Sequence, residues 1–97
     1  MTSEGTPTIA ERARLLSVMK RFPEEREALQ RLFRGNPSFQ SLCDDYRDCL
    51  AALQQWEQST SEEAPALAGA YAELLGELEQ EVRQFLEDEM TSGGVRM

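Results

Sequence analysis

Residues 36–56, NPSFQSLCDDYRDCLAALQQW, decide how this chain folds. Asn36 is a good helix N-cap. Pro37 suits the first helical position, where its missing amide leaves no bond unmade. Phe39, Leu42, Tyr46, Cys49, Leu53 and Trp56 then step by 3, 4, 3, 4 and 3. That spacing places all six on one seam, the seam of a coiled-coil helix. Cys43 and Leu50 widen it on one side, toward the broader stripe of a globular bundle. Neither glycine nor proline interrupts residues 38–58. A helix over about 37–58 follows, with an apolar stripe that needs a partner.

The partner comes next in the chain. Ser59-Thr60-Ser61-Glu62-Glu63 is a polar turn, and Pro65 belongs in the first turn of a helix that starts near Ser61 to Ala64. Leu67, Tyr71, Leu74, Leu75, Leu78, Val82, Phe85 and Leu86 keep helical spacing to about Glu89. Gly69 and Gly76 weaken this helix by roughly 1 kcal/mol each relative to alanine. Ala66, Ala68, Ala70 and Ala72 partly offset that, and the small residues would let another helix come close. Two long helices joined by so short a turn lie antiparallel. The fold class is therefore all-α: a coiled-coil-like antiparallel helical hairpin over about 37–58 and 64–90.

Upstream, Phe22-Pro23-Glu24-Glu25 marks another helix start, with acids in the first turn where the helix dipole favours them. That helix, about 23–34, carries Leu29, Leu32 and Phe33 and stops at Arg34-Gly35, with basic residues in its last turn and glycine past it. Before it, Thr8 and Glu11 form a capping box for a helix over about 9–21. Ile9, Ala13, Leu16 and Lys20 lie on one side, with Leu15, Met19 and Phe22 beside them. The two shorter helices pack on the hairpin. Residues 1–7 and 91–97 are polar, glycine-containing tails expected to be flexible, so 1–97 is a single helical domain.

Composition narrows the function. The formal charge is −8, with 18 acids and 10 bases. Residues 1–48 balance eight bases against eight acids, whereas residues 49–97 hold two bases and ten acids. Such an acidic molecule is repelled by phosphate backbones and anionic lipid. There is no histidine, which removes the commonest general base and metal ligand. Cys43 and Cys49 fall on different faces of one helix and cannot bridge each other. No apolar stretch nears the roughly 20 residues of a membrane span. The polar N-terminus has no secretory-signal pattern. Free thiols without an export signal point to a reducing cytoplasm.

Phe22-Pro23-Glu24, Arg26, Arg31-Leu32, Asn36-Pro37, Phe39, Ser41-Leu42 and Asp44 resemble the pattern of the YdcH-like family of small bacterial proteins. The resemblance covers about residues 19–58 and extends in periodicity alone to 90. It implies a short helical hairpin in a bacterial cytoplasm, and it supplies no catalytic residue. The chain departs from the family in its extra N-terminal helix and its lack of histidine.

No constellation points to catalysis, a cofactor or a small-molecule substrate. Asp44, Asp45 and Asp48, and Glu87, Asp88 and Glu89, are acid clusters on helices; they lack the glycine turn and alternating ligands of a calcium loop and read as solvated faces. Paired carboxylates need a pocket that raises one pKa, and nothing in the sequence makes one. Cys43 and Cys49 read as small core hydrophobes rather than a redox switch between chains. Phe39, Tyr46, Trp56, Tyr71 and Phe85 read as core before recognition stripe. A partner surface is sought in Phe22, Arg26, Leu29, Arg31, Leu32 and Phe33, where arginine stands among aromatic and aliphatic anchors. The competing reading docks those apolar groups on the hairpin. The expected function is a non-enzymatic interaction module that binds a protein partner or self-associates as a homo-oligomer. The alternative, a nucleic-acid or ribosome-associated factor, would use the basic segment 12–34; residues 11–34 carry seven bases and four acids.

Overall fold

The computed structural model describes residues 9–94. The predicted tail over 1–7, the Thr8 capping box and residues 95–97 lie outside the described residues. Four α-helices follow one another: α1 (Ile9–Arg21), α2 (Arg26–Gly35), α3 (Pro37–Glu57) and α4 (Ala64–Gly94). A short 3-10 turn, Pro23–Glu25, separates α1 from α2. Among the described residues there is no strand. The helix pair α3 and α4 forms the expected antiparallel hairpin, α1 packs chiefly on α3, and α2 packs on both.

Local chemistry sets each boundary. The Asn36 side chain accepts a hydrogen bond from the Phe39 amide at 3.1 Å, capping α3 with Pro37 in its first turn. Gln40 reaches back and donates to the Phe33 carbonyl at 2.6 Å, satisfying one of the last acceptors of α2. The elbow between α2 and α3 is thus tied from both sides. Gly35 is the last residue of α2 and does not take a left-handed conformation; the turn is made by extended backbone at Asn36. At the hairpin turn, the Ser59 and Ser61 hydroxyls accept from the amides of Ser61 and Glu63, and α4 begins at Ala64 with Pro65 in its first turn. The helix α4 runs on through Thr91, Ser92 and Gly93 to Gly94, past the end predicted near Glu89.

One hydrophobic core joins all four helices. Leu15, Val18 and Met19 come from α1, Leu29, Leu32 and Phe33 from α2, Phe39 to Cys49 from the α3 seam, and Leu78, Val82 and Leu86 from α4. Phe39 and Phe85 meet edge-to-face across the hairpin, ring centroids 5.3 Å apart. The inward face of α1 is the flank of the expected stripe that holds Leu15 and Met19, joined by Val18. Ile9 is 87% exposed and Leu16 is 46% exposed, while Leu15, Val18 and Met19 are buried. Both choices have helical spacing, and packing against α3 and α2 selects the second.

The core occupies only part of the hairpin. Among the described side chains of α3 and α4, the buried ones apart from Ala64 lie between Phe39 and Cys49 or between Leu78 and Leu86. Toward the hairpin turn, Leu53, Trp56, Leu67, Tyr71 and Leu75 are half-buried. The molecule is accordingly elongated, 55 × 35 × 21 Å. Its Cα radius of gyration is 15.6 Å. A compact chain of about 100 residues would have roughly 13 Å.

Candidate interaction surface

Two sides of the hairpin differ. On one side, arginines from the N-terminal helices close on carboxylates of α3 and α4. Arg14 donates to both oxygens of Asp44, from Nε and Nη2, each at 2.8 Å, and stacks over the Phe33 ring at 5.1 Å. Arg21 donates to both oxygens of Glu79 at 2.9 and 3.2 Å. Arg31 reaches Glu89 at 2.8 Å. The guanidiniums of Arg21 and Arg83 both lie over the Phe22 ring, at 5.4 and 5.5 Å from its centroid.

Glu79 is the hub of this side. The buried Tyr46 hydroxyl donates to Glu79 Oε2 at 3.0 Å, the same oxygen that accepts from Arg21 Nε. One carboxylate therefore joins α1, α3 and α4. Partial burial pushes the Glu79 carboxyl up, but the hydrogen bonds from Arg21 and Tyr46 and the charges of Arg21 and Arg83 outweigh it and hold its pKa below the ordinary value. Burial, the hydrogen bond to Glu79 and that neighbouring negative charge push Tyr46 up to about 12. The Arg14 hydrogen bonds hold Asp44 below its ordinary value.

This geometry redistributes the expected partner residues. Leu29, Leu32 and Phe33 are buried in the chain's own core, so they are not open to another molecule. Phe22 is half-buried beneath two arginines, and Arg31 is paired with Glu89. Arg26 is exposed. Arginine next to apolar anchors marked an interface here, but the interface is internal. The basic segment 12–34 likewise spends Arg14, Arg21 and Arg31 on carboxylates of the same chain.

The other side of the hairpin carries no helix from the N-terminal pair. At 100° per residue, Asp45, Asp48 and Ala52 fall on the side of α3 away from Cys43 and Leu50. Together with Cys49, Tyr71, Leu74 and Leu78 they line an open trough of about 330 Å³ between α3 and α4. Its floor is apolar. Cys49 is buried there and its thiol donates to the Tyr71 carbonyl at 3.3 Å. Leu74 stands 42% exposed on the α4 bank. A second depression, lined by Glu81, Gln84, Phe85 and Asp88, continues along the same face of α4. Sequence spacing alone assigned Leu74 and Tyr71 to the hairpin seam; the pairing of the two helices turns them to its edge.

Burial and the Asp44 charge push the Cys43 thiol up to about 12, and burial raises Cys49 as well. Both are neutral thiols at physiological pH, the form that is neither nucleophile nor ligand. Among the described residues, no group of three or more acids and cysteines is placed to hold a metal ion. No helix there is long and apolar enough to cross a membrane. Comparison with protein-family models, with curated proteins and with solved structures found no match. The likeness of residues 19–58 to the YdcH-like pattern rests on its motif alone.

Proposed function

We propose that this chain is a non-enzymatic interaction module that acts by binding, with the α3–α4 hairpin as its platform. The observation that carries this reading is the uncovered part of the hairpin. The N-terminal helices cover one side near the core and, among the described residues, no third element lines the opposite trough or the depression at the far end by Trp56 and Ala64. A two-helix layer cannot bury both flanks of its own seam, and apolar surface gains roughly 25 cal/mol per Å² on being covered. The covered side supports the platform. Three arginine–carboxylate contacts and the Phe22 stack fix α1 and α2 against it.

Sedimentation over a wide concentration range, combined with a crosslinking pull-down read by mass spectrometry, tests the proposal. Self-association or a partner crosslinked to α3 or α4 is the expected result. A strict monomer that crosslinks to nothing from its native cell extract would end the reading.

A further inference from the structure

The trough between α3 and α4 also carries information about the chemistry of its occupant, and the step taken here rests on the binding reading above. Between Pro37 and Met90 the sequence holds thirteen acids and only two bases, Arg47 and Arg83. Arg83 is on the other side of the hairpin, over the Phe22 ring. Arg47 touches the outer edge of Asp48 at 3.7 Å, an exposed contact that water screens. Neither depression on the open side is lined by a base, while Asp45, Asp48, Glu81 and Asp88 stand on their banks.

An apolar floor between acidic banks is complementary to one kind of segment. We propose that this side of the hairpin binds a basic amphipathic helix of a partner protein, its apolar residues seated along Cys49, Ala52, Tyr71, Leu74 and Leu78. The lysines and arginines of that helix face Asp45 and Asp48 on one bank and Glu81 and Asp88 on the other. The trough runs along two antiparallel helices, so a third helix laid in it packs ridges into grooves. From Tyr71 to Asp88 the platform extends about 25 Å at the helical rise per residue, the length of a helix of about 17 residues. The same charge argues against the other occupants. Two copies joined face to face would bring their acids together with no base between them. Phosphate backbones and anionic lipid would be repelled. Binding through this face is steered by charge and held by the floor, so salt slows association more than it abolishes affinity.

The test uses the full chain, isotopically labelled for NMR, and three synthetic 18-residue helical peptides. All share leucine at i, i+3, i+4 and i+7, and the remaining positions are lysine, glutamine or glutamate, interspersed with alanine. The lysine peptide is expected to bind at least tenfold more tightly than the glutamine peptide. It should shift the amides of residues 45–52 and 71–88, and the glutamate peptide should shift none. Asp45 and Asp48 are exposed. The double variant Asp45→Lys, Asp48→Lys should therefore keep its far-UV circular dichroism and lose at least tenfold in affinity for the lysine peptide. Glu62→Lys with Glu63→Lys makes the same charge change at the distant hairpin turn and should leave affinity within threefold. Equal losses in the two variants would mean attraction to net charge alone and overturn the proposal. So would shifts outside the trough, or a lysine peptide that binds no better than the glutamate peptide. If no peptide binds but concentrating the chain shifts the same amides as it dimerises, the basic occupant is wrong and the interaction platform stands. If the chain also stays monomeric and its pull-downs are empty, both fall.

Discussion

Removing one hydroxyl tests the hub that fixes the N-terminal helices to the hairpin. Tyr46 is 2% exposed and its hydroxyl donates to Glu79 Oε2 at 3.0 Å. Hydrogen bonds to charged acceptors are worth about 1.5–3 kcal/mol. In Tyr46→Phe, Glu79 still accepts from Arg21, so the lower figure applies, about 1.5 kcal/mol. For a domain of this size that lowers the melting temperature by roughly 6–12 °C. Urea unfolding followed by circular dichroism measures the loss. A double-mutant cycle with Glu79→Ala should show coupling of about 1 kcal/mol, because each substitution removes the same contact. The coupling also depends on pH in a fixed direction. The folded pKa of Glu79 lies below its ordinary 4.5, so its contribution is complete above that value and is lost as the pH falls through the lowered folded pKa. The folded pKa of Tyr46 is raised from 10.0 to about 12, so its contribution is complete below 10.0 and is lost as the pH rises through about 12. If Tyr46→Phe unfolds within about 0.5 kcal/mol of the parent, or if the two substitutions simply add, the hub does not exist as described.

Three further outcomes follow from the local chemistry. Asn36→Ala removes the only side-chain cap seen at the start of α3 and should cost about 1 kcal/mol in urea unfolding. Gly76 is exposed in mid-helix and a Cβ there meets nothing within 4 Å, so Gly76→Ala should raise stability by up to about 1 kcal/mol. Cys43 and Cys49 are buried neutral thiols, and iodoacetamide at neutral pH should modify them only as fast as the chain opens. Rapid labelling of both in the native protein would contradict their place in the core.

The helical hairpin was legible because its signals are local. The 3-4-3-4-3 step of the α3 seam, the Asn36-Pro37 start and the position of Pro65 each act within a turn or two of chain. The buried face of α1 was less legible. Ile9 and Leu16 have the same helical spacing as Leu15 and Val18, and only the positions of α3 and α2 distinguish them. The ion pairs were not legible at all. Arg14 meets Asp44 across 30 residues, and Arg21 and Arg31 each meet their glutamates across 58. No periodicity within a helix encodes such a pairing. For the same reason Leu29, Leu32 and Phe33 looked equally suited to a partner and to the core. An amphipathic helix carries the same stripe whichever molecule covers it. The C-terminal end of α4 extended past Glu89 even though Thr91, Ser92 and Gly93 are weak helix formers, so their composition gave no reason to expect helix there.

Amide hydrogen exchange along the whole chain tests the central claim most directly, namely that the hairpin is supported near the core and open elsewhere. Helical amides exchange through local opening, and opening is harder where more apolar surface is buried. The slowest amides should fall between Phe39 and Cys49 and between Leu78 and Leu86, where the buried core lies. Those of residues 53–57 and 67–75 should exchange distinctly faster in the isolated protein. Equal protection along both arms, or slowest exchange at the far end, would mean that the hairpin is supported along its whole length and contradict the account.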